Sequence, residues 1–140
     1  MGDLSANWSK REFECKGCDC KTAFHVSLGQ IKLLQKLREQ IGEKLICTSG
    51  LRCKLKNDRT PGASPNSYHT LRGTILYAAD ITFQDPALRT PKNILKLYVL
   101  ADQLKAKAIG LYGGSCPRLH LDNRPTSRPA RWIDRGWVWP

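Results

Sequence analysis

Leu28, Ile31, Leu34, Leu37 and Ile41 recur at intervals of three and four residues, which puts them on one face of a helix. Ser27 with Gln30 three positions later predicts a capping box, and Gly42 supplies a stop. A second helix is predicted from Thr90-Pro91, with threonine as N-cap and proline at the first helical position. Its apolar face is Ile94, Leu97, Tyr98, Ala101 and Leu104. Four short apolar stretches read as strands: Leu45–Ser49, Leu76–Phe83, Ala108–Tyr112 and Arg118–Asp122. Residues 54–68 hold Asn, Asp, Pro, Gly and Ser with few apolar positions, and read as a long loop. Loops of that length are uncommon unless functional.

The two ends show no such periodicity. Residues 1–26 read as an irregular N-terminal arm anchored through Trp8 and Phe13. Residues 123–140 are rich in Pro and Arg, carry three of the four tryptophans, and read as a tail wrapping the surface through Trp132. With no internal repeat and no interdomain linker, residues 1–140 are expected to form a single domain.

Composition changes this picture little, and charge changes it more. A hydrophobic share of 41% and a charged share of 25% suit a soluble globular domain. No apolar run approaches about 18 residues, so no membrane span is expected. The first residues lack the apolar core of a secretory signal, so work outside the cell would need another route, such as lysis. The formal net charge of +11, spread along the chain, favours an anionic partner: nucleic acid, membrane surface or cell-wall polymer.

Six cysteines are many for this length. Without a signal peptide, metal binding or free thiols are favoured over a disulfide framework. Cys15, Cys18 and Cys20, joined by His25, could hold a structural zinc. Alternatively they form a tight thiol-containing turn, with Cys47 and Cys53 simply buried.

A second set of residues points to chemistry. Asp80 is the lone charge in an apolar strand, where a carboxylate is costly unless paired or bound to metal. Capping a neighbouring loop and binding an ion are both open to it. His69 precedes it in a polar loop, and His120 lies on a later strand. Two imidazoles and one carboxylate are a set zinc accepts, leaving an open position for water. Residues two apart on a strand share a face, so Asp122 points the same way as His120. There it would orient a ligand or accept a proton from bound water. Arg52, after the Ser49-Gly50 turn, is the candidate cation for a developing oxyanion.

Ser67-x-His69, Gly73 and Ala78-x-Asp80 resemble the S-x-H-x-x-G-x-A-x-D signature of the zinc D-Ala-D-Ala carboxypeptidases. That family also holds related peptidoglycan endopeptidases, including many phage lysins. Leu4-Ser5 with Glu12-Phe13-Glu14-Cys15 is similar to the arm of its small muramoyl-pentapeptide carboxypeptidase branch. Thr48-Ser49-Gly50-Leu51-Arg52 resembles the T-S-G-x-R turn of that branch, whose arginine contacts the substrate carbonyl. Gly110-Leu111-Tyr112, His120-Leu121-Asp122 and Ala130-Arg131-Trp132 resemble its closing segments. The resemblance spans nearly the whole chain. It implies an α+β fold, with helices packed on a small antiparallel sheet and the metal in an open cleft. It implies zinc on His69, Asp80 and His120, with Arg52 on the oxyanion side.

Two departures from the pattern bear on the site. His69 to Asp80 spans eleven positions, against about seven in the family. The extra residues, within Leu71–Leu76, either loop outward or pull His69 off the metal. Pro117 stands three residues before His120, where many members carry an acidic base. That leaves Asp122 as the candidate base.

The leading expectation is a zinc peptidase that cuts peptidoglycan stem peptides, as carboxypeptidase or endopeptidase, on an anionic wall reached after release, as a phage lysin does. The alternative is a wall-binding or virion module of the same fold that does not catalyse. A zinc-knuckle nucleic-acid binder would explain the cysteines and the charge, but it leaves the ordered matches unexplained, so nucleic acid is not the expected partner.

Overall fold

The computed structural model describes residues 2–140. In chain order its elements are a 3-10 turn (Lys10–Phe13), β1 (His25–Val26), α1 (Leu28–Ile41), β2 (Leu45–Ser49), α2 (Lys54–Asp58), β3 (Ile75–Leu76) and β4 (Ala78–Phe83). A second 3-10 turn (Pro86–Leu88), α3 (Pro91–Gln103), β5 (Ala108–Tyr112), β6 (Arg118–Asp122) and β7 (Ala130–Ile133) follow. The fold is α+β. Five strands form one sheet in the order β2-β4-β6-β5-β7, and β1 pairs with β3 in a separate ribbon. The four inner contacts are not all alike: β2, β4, β6 and β5 are antiparallel neighbours, whereas β7 joins β5 in parallel. The sheet is therefore mixed at one edge.

Helices α1 and α3 pack on each other, and α3 lies on β5 and β6. Leu34 and Leu37 of α1 and Ile94, Leu97 and Ala101 of α3 meet Ile81, Ile109, Leu119 and Leu121 of the sheet in one buried cluster. Thr90 caps α3 as predicted, its hydroxyl accepting from the Asn93 N–H. The cap predicted for α1 does not form. Ser27 makes no side-chain cap bond, and the Gln30 side chain, instead of reaching back to Ser27, is buried with its amide donating to the Leu121 carbonyl at 3.0 Å. The buried face is also rotated, with Leu28 66% exposed and Leu33 inside.

Other elements differ from the sequence expectation. A short helix, α2, opens residues 54–68, with Cys53 at its N-cap accepting from the Lys56 N–H. Cysteine is not a residue that announces a cap. The predicted strand Leu76–Phe83 is broken at Tyr77 into β3 and β4. The arm is more than a strap: Trp8 and Phe13 are fully buried members of the core, their rings 5.8 Å apart. The tail supplies β7, and its buried tryptophan is Trp137, while Trp132 is half-buried. No helix among the described residues is long and apolar enough to cross a membrane.

Candidate metal centre

The sheet register assembles the site. Asp80 on β4 faces His120 on β6, His120 faces Gly110 on β5, and Gly110 faces Trp132 on β7. One transverse row thus carries a carboxylate, an imidazole, a gap and an indole on the face away from the helices. The gap matters, because a Cβ on Gly110 would lie 2.4 Å from the Trp132 ring. With no side chain there, Trp132 leans over and packs on His120, with 4.9 Å between ring centroids. Beside Asp80, the β2–β4 register slips between Cys47 and Ser49. Bulges of this kind re-aim side chains next to active sites.

His69 arrives from the loop before β3. The residues that lengthen the His69–Asp80 interval turn back on themselves, Arg72 and Ile75 exchanging backbone hydrogen bonds at 3.0 Å. The far limb of that turn is β3, which pairs with β1 of the arm. The insertion loops outward and His69 keeps its place. Its Nε2 lies 3.1 Å from Asp80 Oδ1 and 3.1 Å from His120 Nδ1, and His120 Nδ1 lies 3.0 Å from Asp80 Oδ1.

The partners of the two outer ring nitrogens fix the tautomers. His69 Nδ1 is 2.7 Å from the Gly50 carbonyl, which can only accept, so Nδ1 carries the proton. His120 Nε2 is 2.7 Å from Asp122 Oδ2. Burial pushes Asp122 upward, but Arg124 and His120 outweigh it and hold its carboxyl down at about 2. Asp122 is therefore ionised and accepts from Nε2–H. Two ring nitrogens and a carboxylate oxygen then converge at about 3 Å, and in the neutral tautomers all three present lone pairs to one point. Ligands at about 2.0–2.1 Å around a tetrahedral centre sit roughly 3.3 Å from one another. His69, Asp80 and His120 thus fit a metal cation by donor type and by spacing.

The electrostatics agree. Burial raises the cost of an ionised Asp80, yet the two imidazoles overcome it and hold the carboxyl well below the usual range. Burial alone would depress His120, but hydrogen bonds to Asp122 and Asp80 raise it on balance. The centre attracts positive charge, whether proton or metal.

Sequence reasoning paired His120 with Asp122 correctly in space, but the carboxylate sits at the outer nitrogen of the ring. Arg124 closes it further, with Nε at 2.7 Å from Oδ1 and Nη2 at 2.7 Å from Oδ2. Asp122 is fully buried. Of the two roles left open to it, this position suits orienting the ligand and not taking a proton from the metal side. Arg124 was missed, although its place two residues beyond Asp122 on a strand end was a usable signal. Gly50, a main-chain partner of His69, left no side-chain signal at all.

Arg52 is half-buried. Its Nη2 donates to Ser67 Oγ at 2.9 Å, its N–H donates to the His69 carbonyl at 2.8 Å, and its Nε has no partner. Ser67 Oγ also accepts from the His69 N–H at 3.2 Å, so the serine of the S-x-H stretch joins the arginine to the histidine. Arg52 and Asp80 share a surface depression of about 450 Å³ with Lys16, Lys56, Arg59, Cys116 and Arg118. Asp80 is the single carboxylate among the described residues that line it. Arg118 approaches Asp80 Oδ2 at 3.9 Å.

The sequence profile of Peptidase M15 matches residues 6–114. This chain belongs to the Peptidase M15 family. No curated protein and no solved structure gave a match. M15 peptidases are metal-dependent, and the matched span holds Arg52, His69 and Asp80. It stops short of His120 and Asp122, whose membership in the site rests on the sheet register.

The cysteines gather elsewhere, and not with His25. His25 is exposed on β1, paired with Ile75. Cys53, at the head of α2, joins Cys15, Cys18 and Cys20 instead. Cys47 alone is buried, with its thiol pushed up to about 12 by burial.

Proposed function

We infer that the protein is a zinc peptidase acting on the stem peptides of peptidoglycan. The observation that carries this reading is the convergence of two imidazole nitrogens and a carboxylate oxygen, the carboxylate lining a cationic depression, in a chain of the M15 family. Zinc held by His69, Asp80 and His120 would supply a Lewis acid and an activated water. The chain's own residues do the rest. Gly50 and Asp122 hold the two rings in their donor tautomers, as outer hydrogen-bond partners of metal-binding histidines do. Arg52, braced by Ser67 and lining the depression beside Asp80, would supply positive charge to the carbonyl oxygen as that oxygen gains charge. Lys16, Lys56, Arg59 and Arg118 favour a substrate with carboxylates, as stem peptides have, and would hold the protein near an anionic wall.

A second reading, a wall-binding or virion module that does not catalyse, rests on one observation. Pro117 occupies the position of the family's acidic base, and Asp122 is turned away behind His120. The test separates the two readings. Zinc-loaded protein is incubated with synthetic stem peptides ending in D-Ala-D-Ala and with cross-linked muropeptides, and the products are resolved by mass spectrometry. Chelator-sensitive cleavage at one bond supports the peptidase and names the bond. Bound zinc with no cleavage of any stem, and retention on purified cell walls, supports the module.

A further inference from the structure

We propose that Cys15, Cys18, Cys20 and Cys53 form a second metal site, a closed tetrathiolate zinc centre that staples the N-terminal arm to the head of α2. The four sulfurs lie within 4.8 Å of one another. Cys15 Sγ is 3.7 Å from Cys18 Sγ, and Cys18 Sγ is 3.4 Å from Cys53 Sγ. Thiolates bound at about 2.3 Å around a tetrahedral zinc sit roughly 3.8 Å apart. A disulfide needs about 2.05 Å, and all four thiols are free. The spacing suits a cation better than a bridge.

The backbone is arranged for negative sulfur. The Cys53 N–H points at Cys15 Sγ at 3.5 Å, the Cys20 N–H at Cys18 Sγ at 3.2 Å, and the Lys56 N–H at Cys53 Sγ at 3.4 Å. Three amide donors on three of the sulfurs are outer-sphere support of the kind that orients and tunes metal ligands. Four thiolates around a divalent ion leave a net negative charge for these amide donors to offset, since Lys10 and Lys21 share the hollow with Glu14 and Asp19 and cancel them in formal charge.

The site also has a structural reason. Residues 14–24 contain no helix or strand, yet they lead from the buried Phe13 to β1. Nothing regular holds them. A closed four-sulfur centre gives no open position for substrate and contributes folding free energy outright. It also fixes Cys53, the neighbour of Arg52. The class of ligand is a soft divalent cation, with zinc the ordinary occupant of four thiolates when the protein is colourless. The proposal is independent of what the His69–Asp80–His120 set does.

The test uses the full chain purified without chelator. A His69→Ala/His120→Ala variant is expected to keep one zinc per chain. A mercurial titration should release that zinc as the thiols of the cluster are consumed. In the unsubstituted chain, cobalt substitution should give an intense sulfur-to-cobalt charge-transfer band. Cys20→Ser, at a half-exposed position, should weaken that band and speed metal loss to a chelator at least tenfold. A zinc-free double variant together with no charge-transfer band in the unsubstituted chain would overturn the proposal. So would a Cys18–Cys53 disulfide found by mass spectrometry of the native protein.

Discussion

The His69–Asp80–His120 set and the four-cysteine set are built by opposite means. The first is made by sheet register: Asp80 and His120 are cross-strand partners, and His69 is held by the Gly50 carbonyl. Two of its three ligands come from neighbouring strands, and Asp80 lines a cationic depression. The second comes mostly from a stretch without regular structure, completed by one residue from the head of a short helix. A strand can hold its geometry before a metal arrives, so the first set can leave one side free for chemistry. An irregular loop has no such geometry of its own, so the second is suited to holding chain and not substrate.

The comparison can be broken most severely at His120. His120→Ala should remove the metal from the first set and take peptidase activity to background, while the zinc held by the cysteines stays. Metal analysis of the variant checks this, and loss of both metals would show that the two sets are not separate. Arg52→Ala should leave both metals bound and lower kcat about 10²–10³-fold, the usual cost of losing one oxyanion donor. An unchanged kcat would make Arg52 a loop brace only.

Asp122→Asn should weaken metal affinity at the first set about 10–100-fold, as for other outer partners of metal-binding histidines. It also carries an acid signature. The Asp122 carboxyl is held at about 2 in the folded chain, below its ordinary value. A depressed carboxylate stabilises the fold above its unfolded pKa and loses that contribution as pH falls through the folded one. A shift of about two units corresponds to about 2.5 kcal/mol. Metal-free protein should therefore lose about that much stability between about pH 4 and pH 2, and the Asn variant should lack this step in denaturant titrations. The smallest effect is expected for Gly110→Ala, which forces Trp132 off His120 at a cost of about 1–3 kcal/mol. A lower melting temperature with slightly weaker metal binding would support it.

The two sets also differed in how far the sequence revealed them. The first was legible because its residue types are costly where they stand. Asp80 inside an apolar strand demands a partner, and His120 and Asp122 at strand spacing share a face. Helix α3 was legible for a similar local reason, since Thr90-Pro91 starts it and Thr90 does cap it. Helix α1 was placed correctly, but its cap was not, and Gln30 instead serves the Leu121 carbonyl ninety-one residues away. The outward course of the Leu71–Leu76 insertion depends on β3 finding β1, a pairing between residues fifty apart in sequence. The sequence offers His25 as the fourth member of a zinc set, or a thiol-containing turn with Cys53 buried apart from it, and the structure brings Cys53 to the other three cysteines instead. Nothing local shows that residue 53 returns to residue 15.

One peptide group connects the two regions. The Gly50–Leu51 unit accepts at its carbonyl from His69 Nδ1–H, and its N–H donates to the Phe13 carbonyl at 2.8 Å. A Cβ on Gly50 would lie 2.6 Å from the Phe13 backbone, so only glycine lets the arm come this close. The Phe13 carbonyl, this peptide and the imidazole form one hydrogen-bonded chain, and each bond in such a chain polarises the next. Electron density is pushed towards His69 Nε2, which makes it a stronger donor to whatever cation it faces. Cys15 lies two residues beyond Phe13. The placement of the arm therefore sets the basicity of a ligand on the far side of a single amide.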